Sequence, residues 1–428
     1  MSTPLAVRRA RRVVVVLLAA TLLTQRLALP LGADQLPLSL PLVLGVLVIG
    51  VASGALRIDL AGLRLYALAM GAVVVSTLVV LALGSSPSLM SLVFLLAIYT
   101  VAVVRSPVAP GLLADTTHRA YLGIMTGAAV VSLGQVVIQY LGVPYQDYLL
   151  RIVPPEFVQQ GYATGDPLMY GSDLHRTNAV LFLEPSFLGY FLGIAVVMAL
   201  ARHCSAWRVC LLVAGAVPSL AGNAIVVVLA GVAVLAAGPL RRRLRGLVPV
   251  LAVVLVVAVA TPLGDLYFER STEISGEDNS TTLRLVDPYE ILLPAWWSTP
   301  ESVLVGSGAG AATEVINTTT EQAVTTPVIP KLLVEYGILG AVPVLLFLGW
   351  ALVGNPRTRP WSPGLLIGFF VVNAALLQVT FAVGTILLAR LVPGVPRPGA
   401  PPPVPDDPGD GGAAAPGDQA HLTAGARG

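Results

Sequence analysis

The chain has 428 residues, of which 56% are hydrophobic and 11% charged, and its mean hydropathy is +0.83. Soluble domains carry about 25% charged residues, so a typical soluble enzyme, a nucleic-acid binder and a disordered scaffold are excluded. A formal net charge of +2 decides little; the positions of the charges decide more.

A spanning helix needs about 20 apolar residues. On that rule the expected fold is an all-α polytopic membrane protein. Candidate spans fall near 13–31, 36–55, 64–83, 88–104, 120–141, 179–200, 208–221, 223–239, 247–263, 332–353 and 364–392. The first is too long for a signal peptide and is followed by no small-residue cleavage site. The pair within 208–239 is parted only by Gly222 and reads as a tight hairpin whose arms do not fully cross. The last segment is long for one span and short for two, so the length rule gives about 11–12 spans.

Arginine placement orients these spans, because cytoplasmic loops are enriched in Arg and Lys. Arg8, Arg9, Arg11, Arg12, Arg57, Arg64, Arg105, Arg119, Arg202, Arg208, Arg241, Arg242, Arg243, Arg245, Arg357 and Arg359 all fall on one side under strict alternation. That side, with the amino terminus, is read as cytoplasmic, and topology alone accounts for the set. Two long segments then face outward, 142–178 and 264–331, with only Arg151, Arg176, Arg270 and Arg284 among many acids. The organisation is therefore four helices over 1–119 and helices five to nine over 120–263 with a first external loop at 142–178. A large external loop over 264–331, C-terminal helices over 332–392 and a Pro- and Gly-rich tail over 393–428 follow. The tail cannot bury a core and is expected to be disordered; Arg390 and Arg397 favour a cytoplasmic tail and hence a twelfth span. Cys204 and Cys210 offer no disulfide framework or Cys-based metal site.

Four clusters are candidates for chemistry. At the start of the sixth span, His175 and Arg176 precede Glu184-Pro185-Ser186. An acid within an apolar run is costly and tends to be functional or paired; the alternative is an acid at a helix start, where the dipole favours it. Arg176 is a partner for Glu184 or an anion ligand, or a plain surface residue. The second cluster runs from Ser280 through Arg284 to Trp296 and Trp297. Adjacent tryptophans suit the membrane interface, or stack on a sugar ring; Arg284 would sit at lipid-phosphate height, where bidentate contact suits Arg. The third, Gly306-Ser307-Gly308-Ala309-Gly310, is an anion-approach turn or simply a loop turn. The fourth places Lys331, the only lysine, four residues before Glu335, with Gly337 and Gly340 beyond. It reads as a substrate-contacting pair or as a packed pair at span entry. No zinc, Walker A or lipase motif is present, so neither metal nor cofactor is expected.

In this order, Arg176, the Glu184-Pro185-Ser186-Phe187-Leu188-Gly189 span start, the short hairpin, the early Arg284, the Gly306/Gly308/Gly310 turn and Glu335-Tyr336-Gly337-Ile338-Leu339-Gly340 resemble the O-antigen ligase and O-antigen polymerase superfamily over about residues 120–355. The resemblance implies a glycosyltransferase C-type architecture. It also implies transfer of a glycan from undecaprenyl diphosphate to an acceptor outside the cytoplasmic membrane. On it, Arg284, Arg176 and then Arg270 would neutralise the leaving diphosphate, and Glu184 or His175 would deprotonate the acceptor hydroxyl. Trp296, Trp297, Gly306, Gly308, Lys331 and Glu335 would line the substrate path. The expected partners are the lipid-diphosphate-linked oligosaccharide, membrane lipid, a flippase and a chain-length regulator, and no nucleic acid. Ligase-type members often carry a His about eleven residues before the first Gly of the Gly-x-x-Gly pair; Thr326 stands there. That departure favours a polymerase over a ligase, with a transporter as a third reading.

Overall fold

The structure is a computed structural model that describes residues 3–31, 34–168, 173–238, 286–320, 326–372 and 376–395. The expected span at 247–263, the arginine run 241–245, Arg270, Arg284 and the tail from 396 lie outside the described residues. What is described is mostly helical.

Helix α1 (Pro4–Leu23) opens on Thr3, whose hydroxyl accepts from the Ala6 N–H, with Pro4 in the first turn. It stops well short of residue 31. The apolar residues beyond it form a hairpin instead, β1 (Ala28–Leu31) against β2 (Asp34–Pro37). Pro30 and Pro37 explain the change, since proline removes a helical hydrogen bond. Next come α2 (Ser39–Ala52), α3 (Leu60–Ala82) and α4 (Leu89–Tyr99), the last capped by the Ser88 hydroxyl. Helix α5 (Pro110–Tyr140) begins ten residues before the expected span, with a proline again in its first turn.

Helix α6 (Pro185–Ala201) starts later than the expected residue 179. Ahead of it, 177–184 is a chain of turns buried among helices. Ala179 and Val180 adopt positive φ (49° and 64°), the Asn178 amide donates to the Phe182 carbonyl, and the Val180 N–H returns to the Asn178 side chain. Helices α7 (Ala206–Ala216) and α8 (Gly222–Ala237) follow, joined by a 3-10 turn at Val217–Ser219. At about 1.5 Å per residue, both are shorter than a hydrocarbon core of about 30 Å.

After the undescribed stretch come α9 (Asp287–Trp296), α10 (Pro300–Val305), α11 (Ala311–Thr319) and α12 (Val328–Leu352). The final apolar segment resolves into two short helices. These are α13 (Ser362–Ile367), which runs on as a π turn to Val372, and α14 (Val379–Arg390).

Among the described residues three helices, α3, α5 and α12, are long and apolar enough to cross a membrane, by length and composition. Helix α6 is buried along almost its whole length, as is α14. A helix apolar all round belongs in a core. The two meet through Tyr190 and Phe381, ring centroids 4.4 Å apart, with Phe187 against Phe381 at 5.4 Å. Around them α2, α3, α5 and α12 leave large apolar side chains exposed, among them Val48, Ile49, Leu68, Leu78, Val137 and Leu346.

The arginines gather at one end of this bundle. The Arg11 guanidinium donates to the Leu112 carbonyl, and Arg57 pairs with Arg105 through backbone strands. Arg202 reaches Asp115 at 2.7 Å and His118 at 2.7 Å, while Arg119 also binds Asp115. Arg390 bonds Asp59 at 2.7 Å and lies 4.0 Å over the Trp350 ring. Pro393 offers its carbonyl to His118 at 2.7 Å, so the tail departs from this same end.

Candidate functional site

The opposite end collects the end of α1, the starts of α6, α12 and α14, and the segment 142–178. Its centre was not singled out by sequence. Arg26, 3% exposed, makes a bidentate ion pair with Asp147 and donates to the Val180 carbonyl at 3.1 Å. Breaking a buried pair by removing one partner leaves an uncompensated charge, so Arg26 locks three separate segments together. Burial pushes the Asp147 carboxyl up, but the hydrogen bonds and positive charge of Arg26 more than reverse this and hold it below its ordinary value.

The Arg26 carbonyl accepts from the Gln159 N–H at 2.8 Å, and Leu27 bridges to Val158. Gln159 donates to the Tyr162 hydroxyl at 3.3 Å, and that hydroxyl donates to Gln378, the residue preceding α14, at 2.8 Å. Burial pushes the Tyr162 phenol above its ordinary value; the Gln378 hydrogen bond works against this, and the negative charge of Glu184 adds to it. Glu184 therefore lies within electrostatic range of this group.

Glu184 stands at the N-cap of α6, half-buried, and takes a hydrogen bond from the Ser186 hydroxyl at 3.0 Å. Because the helix begins at Pro185, the acid lies at the helix start and not a turn or more inside a span. The tip of the α7–α8 hairpin closes over this point, with Asn223 donating to the Ser186 carbonyl at 2.8 Å. An acceptor-only carboxylate beside hydroxyl and amide groups can hold, and remove a proton from, a hydroxyl ligand.

His175 is held by its backbone, which exchanges hydrogen bonds with Gln139, and by its ring, stacked 4.9 Å from Tyr145. Its Nδ1 lies 2.6 Å from the Gly165 carbonyl. A carbonyl only accepts, so Nδ1 carries the proton and Nε2 is the end able to take one. Arg176 lies beside Asp166, Nη1 to Oδ2 at 3.8 Å, and not on Glu184.

The remaining candidates separate from this centre. Helix α12 breaks at Gly337, whose φ of +58° and ψ of −167° no longer suit a helix. The break frees two carbonyls, and the glycine turn supplies their donors. The Ser307 N–H bonds the Val334 carbonyl at 2.7 Å, and the Gly308 N–H the Glu335 carbonyl at 3.0 Å. A Cβ on Gly306 would stand 2.5 Å from the Tyr336 nitrogen, and one on Gly337 2.4 Å from the Leu304 carbonyl carbon. The turn thus seats backbone on backbone, and these two N–H groups are already committed rather than open to an anion. Lys331 and Glu335 form a 2.7 Å pair, 5% and 0% exposed, within the same α12 entry. Packing is the role the geometry gives them. Trp296 donates its indole N–H to the Val303 carbonyl at 3.3 Å, while Trp297 is 58% exposed, so Trp297 alone offers an open ring.

No protein-family model and no curated protein matches this chain. Its function rests on its own residues. Among the described residues no three His, Cys, Asp or Glu side chains group as metal ligands.

Gln25, Arg26, Asp147, Tyr162, Gln378 and Thr380 escaped sequence reasoning. A signal was present: Gln25-Arg26 interrupts the first apolar run, and Gln378 and Thr380 interrupt the last. Polar residues inside such runs are costly and mark function or pairing.

Proposed function

We propose that the protein is a multi-pass enzyme of the cytoplasmic membrane that polymerises undecaprenyl-diphosphate-linked oligosaccharide repeat units on its outer face. The amino terminus and the arginine-rich end face the cytoplasm. The exposed apolar side chains of α2, α3, α5 and α12 support contact with lipid, and the one-ended arginines agree with the positive-inside pattern. The observation that carries the chemical part is Glu184. It is a half-buried carboxylate at a helix start, bonded by the Ser186 hydroxyl, at the end away from the arginine cluster.

In the reaction the acceptor hydroxyl oxygen bonds to the anomeric carbon of the donor sugar. The bond from that carbon to the diphosphate breaks, and the diphosphate departs on its lipid carrier. The hydroxyl proton passes to Glu184, with the Nε2 of His175 as the second candidate base. Arg284 and Arg270, outside the described residues, and Arg176 are the candidates to stabilise the leaving charge, a role that suits the guanidinium fork. A flippase would deliver the repeat unit and a chain-length regulator would set the extent of polymerisation.

The test is a gel of surface and lipid-linked glycans from a deletion strain, complemented with wild type, Glu184→Gln or Arg284→Ala. Loss of the long-chain ladder with single units left outside on the carrier supports a polymerase. Long chains stranded on the carrier would mean a ligase, and units trapped on the inner leaflet a transporter. Full activity of Glu184→Gln would remove Glu184 from the chemistry.

A further inference from the structure

Polar atoms buried without partners are costly, about 1–3 kcal/mol for each group. They persist where something absent from the bare chain completes them, whether water or a ligand. Among the described residues Gln25 is the one side chain whose amide lacks a partner at both nitrogen and oxygen, and it is fully buried. It follows α1 directly, next to Arg26. The Gln159 Oε1 is also buried without a partner, and Gln159 is bonded to the Arg26 backbone. So is the Thr380 hydroxyl, 1% exposed, in the first turn of α14.

These groups occupy one region. Helices α1 and α14 pack against each other, with Thr21 within 3.5 Å of the position a Cβ on Gly384 would take. Gln25 lies four residues beyond Thr21, and Thr380 four residues before Gly384, both towards the end that holds Glu184. Gln378, two residues from Thr380, connects to this group through Tyr162 and Gln159. The set offers amide oxygen, amide nitrogen and hydroxyl; Arg26 beside it, whose Nε is also buried without a partner, has its charge balanced by Asp147, and Glu184 is the neighbouring acid. That mixture answers a ligand whose groups both donate and accept, as neighbouring sugar hydroxyls do. A phosphate would need donors alone.

We propose that Gln25, Gln159 and Thr380 form a binding site for sugar hydroxyls, beside Tyr162 and Gln378 at the end of the bundle that holds Glu184. This deepens the polymerase reading and rests on it for the identity of the glycan.

The experiment uses the full chain, purified in lipid nanodiscs. The probe is the free oligosaccharide released by mild acid from the lipid-linked units of the deletion strain, with undecaprenyl phosphate as the sugar-free control. Binding is measured by calorimetry for wild type, Gln25→Met, Thr380→Val and Thr380→Ser. Gln25→Met and Thr380→Val should each weaken oligosaccharide binding tenfold or more. Neither should lower the melting temperature of the unliganded protein, and both should bind undecaprenyl phosphate as wild type does. Thr380→Ser keeps the hydroxyl and should bind normally. Should Gln25→Met fail to fold, the two Thr380 variants decide the matter alone. Unchanged affinity in Thr380→Val would mean that ordered water completes these groups, and would overturn the site. If wild type takes up no oligosaccharide while the glycan ladder still depends on the protein, the site is refuted and the polymerase stands. If the variants lose the oligosaccharide but deletion leaves the ladder intact, the site stands and the polymerase reading falls.

Discussion

The two ends of the helix bundle handle charge in opposite ways. At the arginine-rich end, guanidinium groups are spread over many elements and tie them by partly exposed contacts, such as Arg202 and Arg119 sharing Asp115. At the other end the charges are buried: Lys331 with Glu335 inside α12, and Arg26 with Asp147, a pair that holds three segments. Around it lie neutral amides and hydroxyls, several with no partner. At the first end the load is shared among several arginines. A concentrated load at the second leaves polar surface free for a ligand. On the function proposed above, charge at the first end serves placement, and polarity at the second serves recognition.

The largest test of this contrast is Arg26→Ala. It strands Asp147 and frees the Val180 carbonyl, and removal of one partner of a buried pair costs about 3–5 kcal/mol. A thermal or denaturant melt of the purified protein should register the loss; a change below about 1 kcal/mol, the size of an exposed pair, would erase the contrast. The same pair sets an acid response. The Asp147 carboxyl is held below its unfolded value, so its contribution to stability is complete above the ordinary carboxylate range. It is lost as pH falls through the depressed folded value. Melts of wild type should weaken on acidification in that window, and Arg26→Ala should show less of this dependence.

Gly337→Ala comes next. A Cβ at this positive φ meets the Leu304 carbonyl at 2.4 Å, and overpacking of this kind costs about 1–3 kcal/mol. The α12 break and the glycine turn should loosen together, measurable as faster amide exchange at Ser307 and Gly308. Wild-type exchange there would mean that the turn does not depend on the break. The smallest effect belongs to Arg119→Ala at the arginine-rich end. The Arg119–Asp115 pair is 72% and 50% exposed, and helical surface pairs of this spacing contribute about 0.3–0.5 kcal/mol. A loss as large as that of Arg26→Ala would show that both ends concentrate their load.

Much of the architecture was legible beforehand because it depends on composition and local period. Most apolar runs among the described residues became helices, and Arg11, Arg57, Arg105, Arg119 and Arg202, which alternation assigns to one side, meet at one end. The doubt over the last apolar segment ended in two helices for a reason that is visible in part: Gln378 and Thr380 break its apolar run. Glu184 carried two readings, inside a span or at a helix start. The choice fell to the start because Asn178 organises turns that consume the residues ahead of Pro185.

What sequence alone determined is therefore that the chain is mostly apolar helix, together with the chemical types at each entry, all functions of neighbours along the chain. Only the tertiary structure decided which groups meet. Arg26 finds Asp147 across 121 residues. The glycine turn meets the α12 break instead of an anion, and Lys331 and Glu335 close on each other inside the bundle. The physical reason is that a buried polar group is settled by the partner that packing brings to it, and no local pattern along the chain encodes that partner.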